Sequence, residues 1–262
     1  HLALSANPVQ AQERPPLPEL SLPIRCQPAR DCWLVNYVDV DPGPGISDFA
    51  CAKRSYDGHK GIDLAIRDLI KMKKVVLVVA VGGVVKAVRD GMKDVDVAIA
   101  GVKSVEGREC GNGLVVSHRG GWETQYCHLR RGSVAVKAGD AVSRGQRLGL
   151  VGISGRAQFP HVHLSIRKGN KVIDPFIGVG RRKPCGLGLP PLWGKPALAA
   201  LSAPATDPFQ YRFRCRGVGP RGCQKRPSGG IALSARYSGV GVVGGYVLGR
   251  SGRPTSVPHH RP

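Results

Sequence analysis

The chain has 262 residues, 42% hydrophobic and 5% aromatic, with a net charge of +21. No run of 18 apolar residues occurs, which excludes a membrane-spanning helix, and the charge is uneven: residues 181–262 hold 14 Lys+Arg against one acid (+13), residues 1–180 hold 25 against 17 (+8). Eight cysteines (26, 32, 51, 110, 127, 185, 215 and 223), none in C-x-x-C spacing, argue against a structural zinc ribbon and for disulfides in an oxidising compartment, the alternative being buried thiols.

The first residue is His1, so the chain reads as a fragment or processed form, and Leu2-Ala3-Leu4-Ser5-Ala6 with Val9-Gln10-Ala11 reads as the tail of a secretory signal cut after Ala11. A plain Pro-rich terminus is the competing reading. Residues 12–31 are a linker with prolines at 15, 16, 18, 23 and 28, so residues 1–31 form one leading segment. Cys32 to Val40 has strand character and stops at Asp41-Pro42-Gly43-Pro44-Gly45. Arg67 to Lys74 is a helical turn or exposed loop. Val75 to Val81 and Val84 to Val88 are β-branched runs around Gly82-Gly83, which predicts a hairpin, and Leu114-Val115-Val116 and Trp122 to His128 flank Arg119-Gly120-Gly121 in the same way. Residues 89–113 form an irregular excursion with Cys110 pinning its end. Val136 to Val142 and Gly145 to Gly149 repeat a strand-turn-strand rhythm. Many short strands, frequent glycine and almost no helical periodicity make the chain mostly β and antiparallel, and about 150 residues suffice for one such core.

Two short pieces carry chemistry. In His161-Val162-His163 strand alternation puts both imidazoles on one face and Val162 in the core, with Leu164-Ser165-Ile166 continuing the pattern. In His59-Lys60-Gly61-Ile62-Asp63 the two polar ends share parity, yet in an extended chain they would lie roughly 13 Å apart, too far for one metal ion. The chain must curl between them, and Gly61 is the residue that takes unusual backbone angles cheaply. A third imidazole, His128, sits in the apolar and aromatic run Gln125 to Leu129.

His59-x-x-x-Asp63, Tyr126-x-His128-Leu129 and Pro160-His161-Val162-His163, in that order, resemble the lysostaphin-type M23 zinc metallopeptidases, and Gly145-Gln146-x-Leu148-Gly149-x-Val151-Gly152-x-Ser154-Gly155 resembles the same family. The resemblance runs from about residue 59 to 175. It implies a compact antiparallel β-sheet domain of the lysostaphin-type peptidase kind, with a groove across it, here drawn at residues 32–180. By the family pattern Zn2+ is held by His59, Asp63 and His163, while His161 and His128 stand beside a bound water and serve proton transfer and oxyanion stabilisation. Which of the two is the base stays open. No His-Glu-x-x-His helix is present, so no glutamate base is available and histidines must replace it. The sequence departs from the family at Ala157-Gln158-Phe159, where a small residue or Thr-Gly step is usual, placing Phe159 near the groove. Tyr56 is close enough in sequence to be considered for the oxyanion, but its spacing does not settle its place. His118 is a surface or turn histidine, and His1, His259 and His260 are terminal.

The implied substrate is peptidoglycan stem or cross-bridge peptide, in the periplasmic or extracellular envelope, whose anionic polymers attract a basic protein. Nucleic acid is not expected as a partner and the oligomeric state is open. A non-catalytic wall-binding regulator on the same fold is the alternative, although such relatives typically lack ligands that are present here. A biotinyl- or lipoyl-like carrier, suggested by Ala138-Gly139-Asp140-x-Val142-x-x-Gly145, fails because Ser154-Gly155 offers no acceptor lysine. Residues 181–262 form a basic Gly/Pro/Arg-rich extension in which Trp193 can pack on the domain. From Arg212 on a disordered wall-binding tail, a module stapled by Cys215 and Cys223, and an off-frame translation compete, and a functionless or disordered segment is favoured for so acid-poor a stretch.

Overall fold

The computed structural model describes residues 19–67, 72, 74–180 and 185–202, and the backbone of four short strands beyond them. The signal-like stretch at 1–11 and, in the basic segment, residues 68–71 and 73 lie outside the described residues. So does most of the tail, where Phe213–Cys215 pairs with Cys223–Lys225 and Val242–Val243 with Tyr246–Val247. The side chains of Cys215 and Cys223 are likewise outside the description. No helix among the described residues is long and apolar enough to cross a membrane.

The chain is mostly β, and its strands are antiparallel. One large sheet contains β1 (Cys32–Asn36), β2 (Ile62–Ile66), β4 (Gly83–Arg89), β5 (Asn112–His118), β6 (Trp122–Leu129), β7 (Ala141–Val142), β9 (His161–Lys168) and β10 (Lys171–Val172). Their order is β1-β2-β9-β6-β5-β4-β7, with β10 pairing β9. A two-stranded sheet joins β3 (Val76–Val78) to β8 (Arg147–Leu150). The helices are short, α1 at Val97–Ala100 and α2 at Lys195–Ser202.

Register makes the sheet's two faces chemically different. Ile62 of β2 pairs Leu164 of β9, which pairs Tyr126 of β6, which pairs Leu114 of β5. All four are buried at 2% exposure or less, so this row lies in the core. Because side chains alternate along a strand, the next row, Asn36-Asp63-His163-Cys127 across β1, β2, β9 and β6, faces the other way.

The β5–β6 hairpin forms as the sequence predicts, with Gly120 and Gly121 at φ of 71° and 74°. The hairpin expected around Gly82-Gly83 does not. β3 pairs β8, whereas β4 pairs β5 and β7. Neither glycine has the positive φ that a two-residue hairpin turn requires. Gly83 is instead needed for close approach: a Cβ there would stand 2.3 Å from the Ser117 carbonyl oxygen and 2.6 Å from His118 Nδ1. The pair carries the chain from one sheet to the other. Likewise β7 and β8 occupy the predicted strand-turn-strand segment but pair with different partners.

Six cysteines form disulfides, Cys26–Cys32, Cys51–Cys185 and Cys110–Cys127. The last closes the irregular excursion, which ends at Cys110. Leu20 and Ile24 before the sheet, and Leu192, Trp193 and Ala197 after it, share the sheet's core. Trp193 packs 5.9 Å from Phe176, which stacks on Phe49 at 4.4 Å. Cys51–Cys185 and the Gly186 N–H to Phe49 carbonyl hydrogen bond tie the same segments together.

Candidate metal centre

The centre grows out of the polar row. Asp63 and His163 are direct cross-strand partners, and His161 pairs Ala65 two residues further along the same face. Asp63 Oδ1 lies 2.8 Å from His163 Nδ1 and 3.7 Å from His161 Nε2. His59 arrives from the preceding loop, where Gly58 turns the chain at φ 72°. Its Nε2 is 3.1 Å from His163 Nδ1 and 3.3 Å from Asp63 Oδ2. The curl expected between His59 and Asp63 is therefore present. Gly61 serves it differently from the expectation: its φ is not positive, but a Cβ there would come within 2.5 Å of His163 Nε2 and 2.7 Å of the Leu164 carbonyl. Space for the histidine ring, and not backbone freedom, requires the glycine.

His128 reaches the same face by a break in register. Asn112 pairs Leu129 and Leu114 pairs Tyr126, so Cys127 and His128 together oppose Gly113. His128 has φ 64°, a left-handed conformation uncommon for a side chain with a Cβ. Such a bulge re-aims side chains. His128 lies with its ring 4.6 Å from that of His161 and 6.0 Å from that of His163. All five residues singled out by the sequence thus converge; His59, Asp63, His128 and His161 are buried and His163 is half-buried.

Backbone carbonyls orient three of the rings. The Nδ1–H of His59 donates to Tyr37 O at 2.7 Å, that of His128 to Ser154 O at 2.7 Å and that of His161 to Phe159 O at 2.8 Å. Each assignment leaves Nε2 with its lone pair. Asn36 Nδ2 donates to Asp63 Oδ2 at 2.8 Å, fixing the carboxylate. Sequence reasoning did not find Asn36; only the β1–β2 register identifies it. Phe159 does lie at the site, its ring 4.6 Å from that of His161. The half-exposed Tyr56 ring is 4.4 Å from that of His59.

The electrostatics follow the packing. Burial works against ionised Asp63, but His161, His59 and His163 around it outweigh that and hold its carboxyl well below the usual range. Burial lowers His59, yet the Asp63 charge and the Tyr37 carbonyl leave its pKa raised overall. For His128 burial, then the neighbouring His161 and His163, push the pKa well down, and burial lowers His161 also. The Tyr56 phenol is pushed up by burial and by Asp63, so it stays protonated.

The donor atoms of His59, Asp63 and His163 all lie within 4.8 Å of one another. Zinc bonds of about 2.0–2.2 Å to nitrogen and oxygen place neighbouring ligands roughly 3.3 Å apart in a tetrahedron, a spacing the observed 2.8–3.3 Å contacts approach. Two imidazoles and one carboxylate, with His59 backed by the Tyr37 carbonyl and Asp63 by Asn36, are a set that fits zinc.

Residues 57–175 match the model of Peptidase family M23. That segment, 119 of the 262 residues, is similar to an M23 domain. Over 64 residues it is 39% identical to the peptidoglycan DD-endopeptidase ShyB of Vibrio cholerae, covering 24% of this chain and 15% of that protein. Over 56 residues it is 45% identical to ShyA, a peptidoglycan DD-endopeptidase of the same organism, covering 21% and 13%. The chain therefore matches only 15% and 13% of the length of these two curated relatives. Among solved structures, the catalytic domain of a mutant of the prophage-encoded M23 protein EnpA from Enterococcus faecalis matches at TM-score 0.39 and 21% identity, over 61% of this chain and 94% of that one. The M23 match spans β2 to β10 and includes all five site residues.

Proposed function

We propose that the chain is an exported zinc-dependent endopeptidase that hydrolyses peptide bonds in the stem or cross-bridge peptides of peptidoglycan. The observation that carries this reading is the convergence of His59, Asp63 and His163 donors with His128 and His161 beside them. The names of the curated relatives support the substrate class, and three disulfides support an oxidising compartment.

His59 Nε2, Asp63 and His163 Nδ1 would hold the metal. Bound there, zinc lowers the pKa of a coordinated water to about 7 and polarises the scissile carbonyl. The remaining work falls to the two neutral imidazoles. Each is tied at Nδ1 to a carbonyl and so accepts a proton at Nε2; once protonated it donates from the same atom. One ring takes the proton of the attacking water as the new C–O bond forms. When the C–N bond breaks, that proton passes to the departing amine. The other ring is placed to donate to the oxyanion after protonation. Tyr37, Ser154 and Phe159 carbonyls keep the rings from turning.

The test is metal content of the purified chain together with muropeptide release from peptidoglycan sacculi, with and without chelator. Zinc near one per chain and chelator-sensitive release of cleaved peptides are expected. Zinc binding with no cleavage would overturn the enzymatic reading in favour of a wall-binding role.

A further inference from the structure

We propose that the Cys110–Cys127 disulfide is a positioning device for His128, holding the bulge that aims its ring at the metal centre. The proposal rests on the peptidase reading of the site. Cys127 pairs His163 and so stands in the polar row, on the face where the centre is built. It immediately precedes His128, and the two together oppose the single residue Gly113. The left-handed φ of His128 is costly for a residue with a Cβ, and such conformations persist where surrounding structure over-determines them.

The restraints all come from one small assembly. The disulfide fixes Cys110 against Cys127, and the Cys110 carbonyl accepts the His128 backbone N–H at 2.9 Å. Next to Cys110, Gly111 (φ 64°) abuts Ser154 and Gly155: a Cβ on Gly111 would lie 2.5 Å from the Ser154 carbonyl carbon. Ser154 O accepts from His128 Nδ1, while Ser154 Oγ accepts the Asn112 N–H and donates to Leu129 O. Gly113 leaves no room for looser packing, since its Cβ would meet the Tyr126 carbonyl at 2.4 Å and Cys110 Sγ at 2.8 Å. The backbone and the ring of His128 are thus both held by groups on the two segments that the disulfide braces. The metal-holding side chains come from β2, β9 and the loop before β2, and of these His163 is the one that adjoins the brace, as the cross-strand partner of Cys127. Cutting the disulfide should release His128 and leave the donor set in place.

The experiment compares wild type with C110A/C127A, and with C26A/C32A as a variant lacking a disulfide remote from the site. Hydrogen exchange is read at individual amides, the His128 tautomer by long-range 15N–1H correlation, and zinc stoichiometry alongside; none of these depends on the protein being a peptidase. In C110A/C127A the His128 amide is expected to exchange at least about tenfold faster while β2 and β9 amides keep their protection, the Nδ1–H tautomer loses its dominance, and zinc stays at the wild-type level. Where wild type releases muropeptides, kcat is expected to fall about 100-fold, the scale of a 1 Å misplacement of a catalytic group, with KM changed far less. C26A/C32A should leave the His128 amide, its tautomer and kcat unaltered. An unchanged His128 amide and tautomer, or equal loss of protection across the whole sheet, would overturn the proposal. If C110A/C127A does not fold, exchange in wild type at rising denaturant decides: opening of the His128 amide together with the core supports the brace, and local opening independent of denaturant refutes it. Failure of wild type to cleave peptidoglycan would count against the peptidase reading alone.

Discussion

Replacing Gly61 with alanine should disable the metal centre without unfolding the protein. The new methyl carbon would stand 2.5 Å from His163 Nε2, 2.6 Å from His163 Cε1 and 2.7 Å from the Leu164 carbonyl oxygen. Relaxed contacts of this kind are about 3.5 Å, so β2 and β9 must part, or the His163 ring must move, by roughly 1 Å. Metal ligands tolerate only about 0.2 Å. His163 therefore leaves the donor set, and metal affinity should fall about 100-fold or more, beyond the roughly 10- to 100-fold typical of losing an outer hydrogen bond. Overpacking costs about 1–3 kcal/mol, which a folded domain of this size survives. The assay is a competition titration of zinc against a chelator, with a thermal melt in parallel. Gly121→Ala is the matched control: its φ of 74° makes alanine strained, but nothing lies within 4 Å of the added carbon, so it should lose stability while keeping wild-type affinity. Wild-type zinc affinity in Gly61→Ala, or equal loss in Gly121→Ala, would refute the argument from space at His163.

Other outcomes follow from the same geometry. His163→Ala should lose metal and peptidoglycan cleavage together, whereas His161→Ala should keep the metal and lose turnover, and turnover retained in the second variant would remove His161 from the chemistry. Asn36→Ala strips Asp63 Oδ2 of its 2.8 Å donor, so zinc affinity should drop about 10- to 100-fold in the same titration. Burial lowers the pKa of His118, against the opposing pull of the Gly82 carbonyl and Glu123. The unfolded chain then binds the proton first, so His118 contributes a loss of stability that begins as pH falls through its ordinary value of about 6.5, and urea midpoints at pH 7.5 and 5.5 should differ less in His118→Gln than in wild type. Cys51→Ala/Cys185→Ala opens a link spanning 134 residues and should cost about 2–4 kcal/mol, visible in calorimetry as a lower melting temperature.

Much of the site was legible because its signals are local. Alternation in His161-Val162-His163 needs only strand geometry, and the wrong distance between His59 and Asp63 in an extended chain forces a bend whatever the fold. What remained hidden depends on pairing. Gly82-Gly83 carries the same composition as a hairpin turn, yet the decisive facts are that β4 is flanked by β5 and β7 and that Ser117 O sits where a Cβ would go. The same holds for Gly61, whose role is set by a residue 102 positions later in the chain. His118, read as a turn residue, ends β5 and bridges Gly82 O at 2.8 Å and Thr124 Oγ1 at 2.9 Å; Thr124 Oγ1 lies 3.3 Å from the Tyr126 hydroxyl, which accepts the Ala80 N–H. No spacing rule announces such a chain. Nor does composition reveal that Leu20, next to four prolines, forms a bridge to Trp193.

The division of labour in the site mirrors this division of legibility. Asp63, His161 and His163 stand on paired strands whose neighbouring row is fully buried, so moving them means breaking the core. Preorganisation of the Asp63 carboxylate and the His163 imidazole is therefore a by-product of sheet stability. His59 and His128 instead come from irregular backbone, a loop after Gly58 and a bulge at φ 64°, where no ladder enforces the geometry. These are the positions at which the structure adds dedicated restraints: the Tyr37 carbonyl and an aromatic cluster braced by Cys51–Cys185 on one side, the Ser154 carbonyl and Cys110–Cys127 on the other. These two disulfides thus lie where the sheet cannot hold a histidine. Substitutions in the Ile62-Leu164-Tyr126-Leu114 row should weaken the whole domain without singling out an imidazole, whereas those in the two braces should each release one imidazole, with a loss of stability besides where Cys51–Cys185 is opened.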